Sequence, residues 1–308
     1  MKPFSLAIHG GAGTILRSRM TPEKEAIYKA GLSEALTAGH RILAANGSAL
    51  EAVTTAVVLL ENNPLFNAGK GAVYAGDGTH LLDAAIMEGH HPMAGAIAGV
   101  RGIKNPILLA RKVMEDSAYV MMIGQGAEEF ARLKGLDFAP QTYFHDALRY
   151  EQWLRVKDTP ITQLDHADKG EKNFSTVGAV ALDQQGHLAA ASSTGGMTNK
   201  RFGRVGDTPL IGAGTYANRL CAVACTGHGE PFIKAVVGHD IAARMQYKGL
   251  SLAEATDEVV HQKLVDMKGL GGLISVDAKG RVAMPFNCEG MYRAAQIGMQ
   301  EAEVEIFR

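Results

Sequence analysis

The sequence predicts an α/β protein in which two mainly antiparallel sheets pack on each other between outer helices, a four-layer α-β-β-α sandwich. Three observations predict it: amphipathic stretches with clear helix start and stop signals, apolar strand pairs joined by short polar loops, and glycine runs at the ends of strand-like segments. In chain order, Thr21-Pro22 opens an amphipathic run that Gly47 closes, so a helix is expected over about 22–45. Ser48-Ala49-Leu50-Glu51 reads as a capping box heading a second helix, about 49–61, which Asn62-Asn63-Pro64 stops. Further helices are expected at about 106–116, at about 231–248, where Pro231 suits a first helical residue, and at about 252–265, where Ser251-Leu252-Ala253-Glu254 repeats the capping box.

The strand pairs lie in the C-terminal part. Val177–Leu182 and His187–Ser193 flank Asp183-Gln184-Gln185-Gly186, and Leu273–Val276 and Arg281–Phe286 flank Asp277-Ala278-Lys279-Gly280. Loops this short join antiparallel strands, and strands rich in Ala and Gly on both faces suit sheets packed face to face. The 36 glycines among 308 residues, about 12 % against a usual ~7 %, gather in runs such as Gly10-Gly11-Ala12-Gly13, Gly195-Gly196, Gly212-Ala213-Gly214 and Gly227-His228-Gly229, so many loops can approach a ligand closely. Between helices and hairpins, Asp158–Ser175 is polar, charged and aperiodic, and reads as an exposed linker ending at Thr176. One domain over residues 1–308 is expected.

Composition removes several partner classes. Lys+Arg 31 against Asp+Glu 32 leaves a formal net charge of −1, with no electrostatic footprint for nucleic acid or an anionic membrane surface. The longest apolar stretches, such as Ala52–Leu60, fall short of the ~20 residues that span a bilayer, and Phe4–Ile8 is stopped by His9-Gly10-Gly11 before it could act as a signal-peptide core. Cys221, Cys225 and Cys288 are too few and too unevenly spaced for a disulfide framework or a thiolate zinc site. A cytoplasmic protein is expected. Motifs for dinucleotides, P-loops, zinc helices and the Gly-x-Ser-x-Gly elbow are all missing, and the histidines show no metal-ligand spacing.

What remains is the run of hydroxyls and small residues where the linker stops, Ser175-Thr176-Val177-Gly178-Ala179-Val180-Ala181-Leu182-Asp183. Alone, this segment fits a threonine that merely opens a strand. Cleavage between Ser175 and Thr176 would give Thr176 a free α-amine of pKa about 7.7–8.0, a general base within reach of its own hydroxyl.

Together with other segments, this one resembles the threonine N-terminal nucleophile hydrolases of the plant-type asparaginase (isoaspartyl peptidase) family. The resemblance covers essentially the whole chain. It is carried by His9-Gly10-Gly11-Ala12-Gly13, Pro64-Leu65-Phe66-Asn67-Ala68-Gly69, Thr176-Val177-Gly178-Ala179-Val180-Ala181, Ser193-Thr194-Gly195-Gly196-Met197-Thr198-Asn199-Lys200, Gly203-Arg204-Val205-Gly206-Asp207 and Thr226-Gly227-His228-Gly229-Glu230. The closing Pro285-Phe286-Asn287 to Gly290-Met291-Tyr292-Arg293 looks like the bacterial branch.

The resemblance implies the N-terminal nucleophile hydrolase fold and a chain that cuts itself before Thr176 into segments 1–175 and 176–308, paired as a dimer of cleaved units. It implies hydrolysis of L-asparagine and β-aspartyl dipeptides through a covalent ester on Thr176. Thr194 stands next to the nucleophile, Thr226 and Gly227 match the oxyanion pair, and Asn67 matches a polar residue near the nucleophile. Arg204 and Asp207 match the readers of the substrate α-carboxylate and α-ammonium, and Gly229 a residue whose carbonyl faces that ammonium. The chemistry is apt, because a guanidinium grips a carboxylate bidentately and hydroxyl and N–H donors suit an oxyanion. A structural sodium ion on main-chain carbonyls of Leu60, Glu61, Asn63, Phe66, Ala68 and Lys70 is implied likewise; no organic cofactor is. One departure is Ser175, where the family commonly has Gly and more distant relatives Asp; a side chain there changes which backbone angles the scissile bond can take. The rival expectations are a glycosylasparaginase and an uncut binding protein that keeps the Arg204/Asp207 pocket.

Overall fold

The computed structural model describes residues 2–160, 162, 173–174 and 176–308. Strands are β1 (Ser5–Gly13), β2 (Leu82–Glu88), β3 (Met93–Val100), β4 (Met121–Ile123), β5 (Asn173–Phe174), β6 (Val177–Leu182), β7 (Leu188–Thr194), β8 (Thr215–Ala217), β9 (Cys221–Gly227), β10 (Gly271–Asp277), β11 (Val282–Ala283), β12 (Gly290–Ile297) and β13 (Glu303–Glu305). The larger sheet runs β13-β12-β1-β6-β7-β2-β3-β4 with β5 beside β1, and the smaller β11-β10-β9-β8. Only β3 and β4 pair in parallel among these strands.

Three apolar clusters separate four layers. Helices Pro22–Ala44, Ala49–Asn62 and Pro106–Asp116 bury Leu32, Leu36, Val53, Leu60 and Ile107 on the outer face of the large sheet. Between the sheets lie small residues, Ala7, Val180, Ala190, Ala222 and Ala224 with Ile274. Outside the small sheet, Phe232, Ile241, Leu252 and Val259 come from the C-terminal helices. The α-β-β-α sandwich of two mainly antiparallel sheets is thus the fold, and alanine and glycine in the middle let the sheets close on each other. Among the described residues, no helix is long and apolar enough to cross a membrane.

Helix starts follow the expected chemistry. Thr21 accepts from Lys24 N at 3.3 Å with Pro22 in the first turn, and Ser48 accepts from Glu51 N at 3.1 Å. Only Ser251–Glu254 closes both halves of its capping box; the Glu51 carboxylate turns instead to Arg111, 2.7 Å away. The predicted helix 231–248 is two helices, Gly229–Ala235 and Val237–Lys248, broken at Val236 with φ +50°. The break lets Gly238 N and His239 N donate to Ala213 O and Gly212 O, which a continuous helix would forbid. The predicted helix 252–265 widens into a π-helix at Glu258–Lys263, where the Val260 carbonyl accepts Asn287 Nδ2 at 3.0 Å.

The hairpin β6–β7 stands as predicted, whereas the partner of β10 shrinks to Val282–Ala283 and Phe286 only bridges Gly272. The glycines of His9-Gly10-Gly11-Ala12-Gly13 lie within β1, not beyond its end. Of the expected linker, Asn173–Phe174 pairs with Ala12 and Gly13 of β1; Ser175 and most of that segment lie outside the described residues.

Candidate active site

Gly178 of β6 faces Ala224 of β9 across the sandwich, at 3.0 Å from the position a Cβ would occupy. Two residues from these contacts, on the inner faces, come Thr176 before β6 and Thr226 near the end of β9. Thr176 Oγ1 donates to Thr194 Oγ1 at 3.1 Å, and both residues are buried. Thr194 ends β7, next to β6 in the sheet, so strand pairing alone brings the two hydroxyls together. Thr226 Oγ1 is buried with no hydrogen-bond partner among the described residues. A buried hydroxyl left unmatched is costly unless something arrives to use it. Gly227 pairs with Gly271 of β10, where a Cβ would strike the Leu270 carbonyl.

The turn after Thr194 is tied down by main-chain bonds. Gly196 N donates to Thr194 Oγ1 at 2.9 Å, and Asn67 Nδ2 donates to Gly196 O at 2.8 Å. Asn67 Oδ1 accepts from Val73 N at 3.0 Å and Asn67 O from Gly195 N at 3.1 Å. Both ends of the Asn67 side chain are therefore engaged, and it acts on the site by holding this turn. Glycine explains how the loop gets there: β1 bulges between His9 and Gly11, and a Cβ on Gly10 would run into Phe66.

The charged half of the site lies on loops. Arg204 does not pair with Asp207; its Nε and Nη2 meet Glu230 Oε1 and Oε2 at 2.9 and 3.0 Å. The remaining fork faces Gly206 and Gly229, from whose Cβ positions Nη1 and Nη2 lie 3.1 Å away. Asp207 is buried between two more close approaches: a Cβ on Gly229 would lie 2.9 Å from its Oδ1 and one on Gly214 2.8 Å from its Oδ2. Burial pushes its carboxyl up to about 7, and Oδ2 has no hydrogen-bond partner among the described residues. Glu230 moves the other way, held well below the usual carboxylate range first by His228, whose Nε2 is 3.0 Å from Oε2, and then by Arg204. Gly229 is the first residue of helix Gly229–Ala235, so the helix begins ahead of Pro231.

Sequence reasoning left five neighbours without a role. Glu230 and His228 sit inside a quoted motif, but only the fold shows that they orient Arg204. Lys200 and Asp83, far apart in sequence, form a buried ion pair. His9 is buried across from Gly178, and burial drives its imidazole down to about 3 against an opposing contact with the Thr176 main chain. It stays neutral.

The carbonyl loop after helix Ala49–Asn62 folds tightly. Glu61 O would lie 2.6 Å from a Cβ on Gly69, and Phe66 O would be struck by one on Gly71. The carbonyls of Leu60, Asn63, Phe66 and Ala68 each accept one main-chain N–H, which leaves a second lone pair on each. The Glu61 carboxylate, raised by burial to about 7, is engaged by Ile107 N at 2.9 Å, and Lys70 Nζ lies over the Tyr143 ring. Neutral carbonyl donors of this kind fit a hard monovalent cation.

The sequence model of the asparaginase family (Asparaginase_2) matches residues 1–306. The chain is similar to the isoaspartyl peptidase of Escherichia coli K12, 55 % identical over 294 residues that cover 94 % of this chain and 91 % of that protein. The isoaspartyl peptidase of Salmonella typhimurium LT2 is 54 % identical over 298 residues, 96 % of this chain and 95 % of its own. The plant-type L-asparaginase of Pyrococcus furiosus is 42 % identical over 318 aligned positions, 98 % and 99 % of the two chains.

Proposed function

The chain belongs to the asparaginase family, and from that premise we propose that it is a self-processing amidohydrolase that hydrolyses L-asparagine to L-aspartate and ammonia and cleaves β-aspartyl dipeptides. The observation that supports this most is the pair of touching hydroxyls, Thr176 and Thr194, on one sheet with the unmatched Thr226 hydroxyl on the facing one. In the first step the Thr176 hydroxyl attacks the Ser175 carbonyl, the peptide bond becomes an ester, and water releases segments 1–175 and 176–308. The freed α-amine then takes the hydroxyl proton as Thr176 attacks the substrate's side-chain carbonyl. Thr226 Oγ and Gly227 N–H donate to the oxyanion, with Thr194 keeping the nucleophile in place. The amine returns the proton to the departing ammonia or amino acid, and water hydrolyses the β-aspartyl ester. The neutral His9 beside Thr176 leaves the α-amine as the group that gains the proton near pH 8.

Arg204 offers its free fork to the substrate carboxylate, and Asp207 with the Gly229 carbonyl receives the ammonium. A sodium ion on the carbonyls of Leu60, Glu61, Asn63, Phe66, Ala68 and Lys70 would brace the loop that carries Asn67 and take no part in bond making. The dimer of cleaved units is proposed on the family resemblance. Cys221, Cys225 and Cys288, all free thiols, suit a reducing compartment, the cytoplasm.

Intact mass spectrometry of the purified chain, sampled over days at neutral pH, tests the reading. The expected result is two fragments that part between Ser175 and Thr176, with activity rising as they form. A chain that stays whole and hydrolyses asparagine would overturn the role of the Thr176 amine, and a whole chain without activity would leave the binding-protein reading standing instead.

A further inference from the structure

The proposed chemistry leaves one buried pair of charges unused. Lys200 and Asp83 side chains are each 1 % exposed, with Nζ 3.4 Å from Asp83 Oδ2 and donating to Leu81 O at 2.8 Å. Asp83 Oδ1 accepts from Gly99 N at 2.8 Å. Desolvating two charges is expensive, and well-packed apolar residues of similar volume commonly hold a core as well or better. The reason for the pair is therefore sought in what it touches.

Both partners abut the strand end that carries Thr194. Asp83 lies directly across from Thr194 in the β2–β7 register. Lys200 fills the space beside Gly196, where a Cβ would stand 2.8 Å from Nζ and 2.9 Å from Cδ. Gly196, at φ +79°, has no side chain with which to pack its own turn, yet its N–H fixes the Thr194 hydroxyl at 2.9 Å. We propose that the buried Lys200–Asp83 pair is a positioning device for the nucleophile, supporting the Thr194–Gly196 turn and so holding the Thr194 hydroxyl against that of Thr176. The inference rests on the reading of Thr176 given above. An ammonium held by two fixed acceptors occupies one place, which an apolar side chain able to change rotamer does not, and a reacting hydroxyl displaced by about 1 Å can lose on the order of 100-fold in rate.

The test uses the full chain with Asp83→Asn/Lys200→Met, which removes both charges with little change of volume, and the isosteric Asp83→Asn as a second variant. Each is followed by thermal melting, by the rate at which the 176–308 fragment appears, and by kcat and KM for L-asparagine. The expected result is melting close to that of the parent for the double variant and lower for Asp83→Asn, which leaves the Lys200 ammonium buried without its partner, with maturation slowed about tenfold or more in both and kcat of the matured fraction down by about as much with KM within about threefold. A variant that melts normally and never matures supports the proposal equally. Maturation and kcat within about twofold of the parent, a rise in KM at unchanged kcat, or failure of both variants to fold would each overturn it. Thr176→Ala runs alongside: parent-like hydrolysis by that variant would sink the nucleophile itself, whereas an inactive Thr176→Ala beside unaffected pair variants overturns this inference alone.

Discussion

The two halves of the site are built from different materials. The hydroxyl half, Thr176, Thr194 and Thr226, sits at strand ends, buried, and its geometry comes from sheet register and main-chain bonds. The charged half, Arg204, Asp207, Glu230 and His228, sits on loops and a helix start, and its geometry comes from ion pairs and from glycines that leave room. The first half can do bond-making chemistry whatever the protonation of the second; the second can select a substrate without touching the reacting carbonyl. Substitutions in each half are thus expected to fall on different kinetic constants.

The largest effect separates them outright. Thr176→Ala removes the hydroxyl needed both to cut the chain and to attack substrate, so the variant is expected to fold, stay uncut in intact mass spectra and show no asparagine hydrolysis, while its Arg204–Asp207 pocket is untouched. Next is Arg204→Ala, in which self-cleavage survives and kcat/KM for free L-asparagine falls by roughly 30- to 5,000-fold, the loss of one partner in a charge-assisted pair. Asparagine amidated at its α-carboxyl lacks that charge and is expected to lose little further on mutation. Equal losses on acid and amide would make Arg204 structural and erase the distinction between the halves.

The pH dependence divides along the same line. The cleaved enzyme proposed above would carry a Thr176 α-amine, a group that ordinarily titrates at about 8, beside an Asp207 carboxyl raised by burial to about 7. Both must be deprotonated for binding and attack, so log kcat/KM is expected to fall with a slope approaching two below pH 7. In the bound complex the substrate ammonium holds Asp207 ionised, so kcat shows a slope of one. Asp207→Asn reduces the kcat/KM slope to one, and a slope left at two places the second proton elsewhere. Stability runs the other way. A carboxyl whose pKa is higher folded than unfolded stabilises the fold below the unfolded value and loses that contribution as pH rises through about 7. Asp207→Asn is therefore expected to melt higher than the parent at pH 8 and to lose that advantage near pH 4.

The hydroxyl half was the more legible in sequence, and for a physical reason. Strand register is local: the hairpin of Val177–Leu182 and His187–Ser193 was legible, and its observed register, Leu182 opposite Leu188, sets Thr176 beside Thr194, a neighbour that the sequence offered only through the family resemblance. The helix starts at Thr21, Ser48 and Ser251 were legible for the same reason, each depending on a residue three along. What sequence hid depends on distant segments. The break at Val236 answers to carbonyls of Gly212 and Ala213, and the π-helix to Asn287. Strand β2 lacks alternation because both its faces are covered, and Arg204 turns to Glu230 rather than to Asp207, three residues along, because the helix from Gly229 brings that carboxylate to it.

The smallest effect is expected where the halves of the charged region meet, at Glu230. Its two oxygens hold one edge of Arg204, one of them also meets His228, and its charge raises the neighbouring Asp207 pKa. Glu230→Gln keeps one acceptor and removes the charge, so two consequences oppose each other. Arg204 is held by one oxygen instead of two, which raises KM about three- to tenfold at pH 8, where Asp207 is ionised in either protein. Asp207, freed of an adjacent anion, ionises at lower pH, which shifts the acid limb of kcat/KM downward. At pH 6 the second consequence offsets part of the first, and the ratio of parent to variant kcat/KM is expected to shrink between pH 8 and pH 6. Self-cleavage and kcat, which belong to the hydroxyl half, stay within about twofold. A ratio that holds constant across this range would mean that Glu230 orients Arg204 without acting on Asp207, and that the charged half is two independent contacts.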